Sequence, residues 1–170
     1  MGGYGSGRWG AHTKRAVVEE CLVLDIDDLA RRHVLARHQL WHRLGWHDAA
    51  TGRETASLEV CATSDEGGRT ALLLRYAEHR PGRRDEVHEW VPLQATRPRF
   101  GGVRWWLTCP LAVGGRPCNR RVRKLYYPPG RRYFGCRHCH RLTYRSCQES
   151  HVYDRLAAQL ARRFPGALAP

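Results

Sequence analysis

Seven of the 170 residues are cysteines, and four of those seven are spaced as metal ligands. Cys136-Arg137-His138-Cys139 is a two-residue knuckle; Cys109 and Cys118 form a longer one, with eight residues between them. Two thiolate pairs at the ends of a hairpin are what a zinc ribbon requires. Four soft ligands satisfy tetrahedral Zn²⁺, and the metal stands in for a core too small to hold itself together. The expectation is therefore one structural Zn²⁺ held by Cys109, Cys118, Cys136 and Cys139, with Val113–Pro117 bulging out as a loop of the longer knuckle. His138, His140 and Cys147 are alternative ligands. Cys21 and Cys61 lie in apolar patterns, where a free thiol behaves as a small core residue.

Charge gives the second signal. Residues 1–89 carry 13 Lys/Arg against 14 Asp/Glu, whereas residues 90–148 carry 13 Lys/Arg and no acid at all. The whole excess of +13 thus belongs to the segment that contains the ribbon. A localised field of one sign is the footprint of a phosphate-backbone binder. A preference for Arg explains why 27 of the 29 bases are Arg, but not 59 residues without a carboxylate.

The elements that must position these groups follow from periodicity. Arg121–Tyr127, a Pro128-Pro129-Gly130 turn and Arg131–Gly135 predict a hairpin between the knuckles, with Arg141–Arg145 closing a third strand. Alternation and turn residues predict strands over Gln39–Trp46, Glu54–Ala62, Thr70–Tyr76, Asp85–Pro92 and Val103–Thr108. Residues 14–35 predict two short helices, the second capped by Asp25 and carrying Ile26, Leu29, Ala30 and Val34 on one side. Val152, Leu156 and Leu160 predict a C-terminal helix after Ser150. The expected class is α+β: two short N-terminal helices, an antiparallel β-meander, a four-cysteine zinc ribbon and a C-terminal helix. The expected division is a Gly-rich arm over 1–13, helices and sheet over 14–108, the ribbon over 109–147, and a helix and tail over 148–170. Trp41, Trp46, Trp90, Trp105 and Trp106 fit core or sheet-face packing better than a base-stacking platform, Trp105 and Trp106 least so because they adjoin the basic segment.

Several other chemistries find no support. Gly5 to Gly10 fits G-x-G-x-x-G, but no strand precedes it, so the dinucleotide reading fails on context. No run of eighteen apolar residues is present, which argues against a membrane span. The opening residues lack the apolar stretch of a signal peptide, so the expected location is cytoplasmic. With 42% hydrophobic residues, a modest core is within reach and wholesale disorder is not expected.

The assembled motifs resemble a family of small bacterial and phage or mobile-element zinc-ribbon proteins that open with GGYGSGR. The resemblance lies in Gly2–Arg8, Glu20–Ile26, Phe100–Trp105, Cys109-Pro110, Cys118–Val122, Leu125-Tyr126, Cys136–Cys139 and Tyr144–Ser146. The longer first knuckle departs from the family pattern. The resemblance implies a bacterial setting and brings no activity with it.

Three functions compete. The first is a non-catalytic nucleic-acid-binding module, DNA before RNA, with phosphates met by Arg104, Arg116, Arg120, Arg121, Arg123, Lys124, Arg131, Arg132, Arg137, Arg141 and Arg145. Tyr126, Tyr127, Tyr133 and Phe134 would stack on bases. The second is a protein-binding regulator docking the same basic field on an acidic host complex, such as polymerase or defence machinery. The third is a metal-dependent nuclease or recombination component. Mg²⁺ chemistry needs carboxylates, and an enzyme would have to borrow Asp25, Asp27, Asp28, Asp48, Glu149 or Asp154 from outside the basic segment. The sequence leans against an enzyme.

Overall fold

Alternation along five successive segments builds one antiparallel sheet. In this computed structural model residues 15–64, 67–80, 82–148, 159, 160, 162 and 163 are described. The chain opens with a 3₁₀ turn at Val18–Glu20, then β1 (Leu22–Asp25), α1 (Ile26–Arg31) and a second 3₁₀ turn at Val34–Ala36. Strands β2 (Trp41–His47), β3 (Glu54–Ser64), β4 (Thr70–Arg80), β5 (Arg83–Thr96) and β6 (Arg104–Thr108) follow. The short strands β7 (Ala112–Val113), β8 (Arg116–Pro117), β9 (Arg121–Val122) and β10 (Lys124–Tyr127) complete the set. The six-stranded sheet has the order β2-β3-β4-β5-β6-β9; β1 pairs with β10 and β7 with β8.

The α+β expectation is overturned. The described chain is mostly β, with a curled six-stranded antiparallel sheet and only short helical pieces. Of the two N-terminal helices, the first is a single 3₁₀ turn followed by a strand. Leu22-Val-Leu-Asp25 has too few residues to offset the cost of helix nucleation, and its backbone instead pairs with β10. That pairing sets Leu24 directly against Leu125, and both side chains are fully buried. The second helix exists but stops after Arg31, where His33 adopts a left-handed conformation with φ 59. Asp25 caps it as expected, accepting a bond from the Asp27 N–H at 2.9 Å. Most of the expected C-terminal helix lies outside the described residues; Gln159, Leu160, Arg162 and Arg163 are helical and exposed.

The second arm of the expected ribbon hairpin is also absent. Between Arg131 and Gly135 the only strand-like contact is a bridge from Gly135 to Tyr126. Side chains of the large sheet take the place of a ladder there. Phe134 N–H donates to the Glu89 carboxyl at 3.1 Å, and Arg132 C=O accepts from the Tyr76 hydroxyl at 2.9 Å. The segment Arg141–Arg145 likewise forms no strand, only a parallel bridge between Thr143 and Val17.

One core spans the sheet and the cysteine-bearing segment. Leu44, Leu58, Val60, Leu72, Leu74, Val87, Val91, Leu93 and Leu107 line the inner face of the sheet. They pack against Leu24, Ile26, Leu29, Val34 and Leu35 from the N-terminal region, and against Leu125, Phe134, Cys109 and Cys136 from the cysteine-bearing segment. Phe134, at 2% exposure, meets the rings of Tyr76, Tyr127 and Trp46 at centroid distances of 5.7, 5.3 and 6.5 Å. Burying a side chain of this kind contributes about 1.5–3 kcal/mol. Of the tryptophans expected in the core or on a sheet face, Trp41 and Trp90 lie on the outer face, 38% and 41% exposed. No helix of the described residues is long and apolar enough to cross a membrane.

Candidate metal centre and basic groove

The four expected ligands converge. The Sγ atoms of Cys109, Cys118, Cys136 and Cys139 all lie within 4.8 Å of one another and could hold a metal ion. Cys109 and Cys139 are 3.8 Å apart, and Cys118 and Cys136 3.9 Å. A tetrahedron with metal–sulfur bonds of about 2.3 Å has edges of about 3.8 Å, whereas a disulfide needs about 2.0 Å. The donor set and its spacing therefore fit a four-thiolate metal site. His138, His140 and Cys147 are not in the cluster, which leaves the four cysteines as the candidate set among the described residues.

Local structure explains how each thiol is held. Cys109 follows β6, with its N–H bonded to Arg120 C=O at 2.9 Å. The long knuckle is not a loose loop but a miniature hairpin. Its strands β7 and β8 pair Ala112 with Pro117 and Val113 with Arg116, and Cys118 N–H returns to Leu111 C=O at 2.8 Å. Gly114 and Gly115 turn it with φ values of 60 and 77, the two-residue turn whose left-handed positions match strand twist. The second knuckle starts at Gly135, where an added Cβ would lie 2.1 Å from Leu111 Cδ1 and 2.8 Å from His140 Nε2, so both side chains would have to shift. N–H groups then point at sulfur: Cys136 N–H at Cys109 Sγ (3.2 Å) and Cys139 N–H at Cys136 Sγ (3.5 Å).

Without a cation Cys109 and Cys139 would resist ionising. Burial pushes Cys109 up to about 11 and raises Cys139 further. At Cys118 burial also works upward, but hydrogen bonds from Arg120 N–H and the neighbouring thiols outweigh it and leave the group below its ordinary value. Four thiolates packed this closely need a positive ion at their centre.

Beside the second knuckle runs a groove of about 580 Å³. Arg120, Arg121, Arg123, Lys124 and Arg137 line it, with Trp106, Tyr126 and His138, and Asp25 supplies its one acid. Trp106, expected in the core or on a sheet face, is half-buried in this wall, with the guanidinium groups of Arg104 and Arg121 at 4.5 and 5.1 Å from its ring centre. The indole N–H donates to Thr96 Oγ1 at 3.0 Å, which fixes the ring. Arg137 lies over Tyr144, another aromatic that sequence reasoning did not assign. What could have exposed Trp106 was its strand parity: it shares an outward-facing register with Gln94.

The other expected contacts scatter. Arg104, Arg116, Arg131, Arg141 and Arg145 are exposed outside the groove. Arg132 is half-buried, 3.6 Å from Glu78, and lies over Tyr133, which is 42% exposed. Phe134 is in the core, and Tyr127 packs edge-on against Tyr76 at 5.7 Å, so neither ring is placed to stack on a base. Two groove cations are already engaged: Arg123 with Asp27, and Lys124 with Asp25 at 3.2 Å. Asp28 pairs with Arg32, so the acids of α1 serve capping and ion pairs.

No family model matches this chain, and neither does any curated protein or solved structure.

Proposed function

We propose that this chain is a non-catalytic nucleic-acid-binding protein whose basic groove is held in shape by one structural Zn²⁺. The metal reading rests on donor chemistry: four thiolates at tetrahedral spacing suit zinc and leave no open position for a substrate. The observation that carries the functional reading is convergence. Five cations separated along residues 120–137 meet in one groove, with Tyr126 and Trp106 beside them. Arginine and lysine beside aromatic rings suit a phosphate backbone with adjacent bases. DNA is the first expected partner.

A larger depression, about 960 Å³ on the sheet, is a poorer candidate. Arg43, Arg75 and Arg84 are matched there by Glu54, Glu59 and Glu86, so it presents no net field to an anion.

Two measurements test the proposal. Native mass spectrometry of the purified protein should show one zinc per chain. Fluorescence anisotropy with labelled DNA should show affinity falling steeply with salt, with a log–log slope near about −4.5 if all five groove cations neutralise duplex phosphates at about 0.9 each. Affinity that stays level from low to high salt would refute it.

A further inference from the structure

We infer that the outer face of the sheet, from Trp106 through Trp90 to Trp41, extends the basic groove as a stacking track for single-stranded nucleic acid. This rests on reading the groove as a nucleic-acid site and adds the class of strand it takes.

Register places the tryptophans on one face. Trp106 sits opposite Gln94, and Gln94, Pro92 and Trp90 alternate outward along β5 while Val91 and Leu93 point into the core. Across the strands, Trp90 is opposite Leu73, Leu73 opposite Cys61, and Cys61 opposite Trp41. Three strand spacings separate Trp90 from Trp41, about 14 Å. Trp90 and Trp106 are four residues and one strand apart, again about 14 Å. Both outer rings are accessible, Trp41 at 38% and Trp90 at 41%.

Two observations select nucleic acid over an apolar protein partner. The first is charge: β6 and β9, and β5 from Trp90 onward, belong to the segment that contains no carboxylate, and Arg104 and Arg121 flank the track where it meets the groove. At the far end the charge is balanced, since Arg75, which lies over Trp41 at 4.7 Å, is ion-paired with Glu59; the field of one sign is at the Trp106 end. The second is continuity, because Trp106 belongs both to the groove wall and to this face. Rings on an open sheet face stack only on bases that are free on one side, and a duplex keeps its bases paired inside.

The experiment compares Trp41→Ala/Trp90→Ala with the unaltered protein. Both side chains are exposed, and retained zinc content together with an unchanged thermal midpoint establishes that the variant folds. Affinities are measured for an oligothymidylate of about 15 nucleotides, near the upper site size of single-strand binders, and for a duplex of equal length. The inference predicts that the unaltered protein prefers the single strand, and that the variant loses about tenfold or more in single-strand affinity at unchanged duplex affinity. Duplex preference, or single-strand affinity untouched by the substitutions, overturns the track and leaves the groove standing. Loss of binding to both polymers by the unaltered protein overturns the groove as well. A dimer in sedimentation that the double variant dissolves would reassign the face to a second copy of the chain.

Discussion

Phe134 donates its backbone N–H to the carboxyl of Glu89 at 3.1 Å, joining the segment before the second knuckle to the middle of the sheet. The same carboxyl lies 2.8 Å from the Tyr76 hydroxyl, which also reaches Arg132 C=O at 2.9 Å. One hydroxyl hydrogen cannot serve two acceptors at once; a proton on Glu89 lets the carboxyl donate to Tyr76 while Tyr76 donates to Arg132 C=O. Burial, opposed by the bonds from Phe134 and Tyr76, raises Glu89 from 4.5 to about 7. The folded protein thus binds this proton more tightly than the unfolded chain does. Its stabilising contribution is complete below about pH 4.5, falls as pH rises and is lost above about pH 7, an effect of about 3 kcal/mol. Glu89→Gln, uncharged throughout, removes that decline. Urea midpoints measured between about pH 5 and 8 should show the variant gaining on the native chain as pH rises; parallel curves would contradict the assignment.

Phe134 is the packing counterpart of that bond. Its ring fills the space among Trp46, Tyr76 and Tyr127, so Phe134→Ala should cost about 3–5 kcal/mol in chemical denaturation. It should also weaken metal retention, since Cys136 lies two residues on in the same core. A loss under about 1 kcal/mol would show that the cysteine-bearing segment does not share the core of the sheet.

The four-cysteine cluster was legible in the sequence because thiol spacing survives any detail of the intervening chain. The five strands over 41–108 were legible because alternation between a buried and an open face repeats in each. Tertiary pairing hid the rest. Leu22–Asp25 suits a helical or an extended backbone, and only β10 decides between them. Arg131–Gly135 has the composition of a strand, yet its backbone groups are taken by Tyr76 and Glu89, some fifty residues away. The groove was partly legible, since the basic segment was plain, but composition could not show that Arg116 and Arg131 lie apart from Arg120 and Arg137.

The Gly114-Gly115 turn sets the separation of Cys109 and Cys118. Replacing both glycines with alanine forces two left-handed residues, at roughly 1–2 kcal/mol each, and should lower zinc affinity in competition with a chromophoric chelator. Gly114→Asn should be close to neutral, because asparagine tolerates that conformation. Equal losses from both substitutions would point to a cause other than backbone conformation.

Asp27 holds Arg123 against α1 and so competes with any phosphate for it. Asp27→Asn removes that competitor while leaving the Asp25 cap intact. DNA affinity at low salt should rise by several-fold, and the salt slope should steepen by up to about 0.9. Unchanged affinity would place Arg123 outside the contact surface.

The most direct test of a metal-clamped groove is anisotropy with labelled DNA on the zinc-loaded protein, on the same protein after chelation, and after zinc is restored. Binding by the loaded protein should be salt-sensitive, should be lost on chelation as the knuckles separate, and should return with zinc. Binding that is equally tight without metal would contradict the metal-clamped groove.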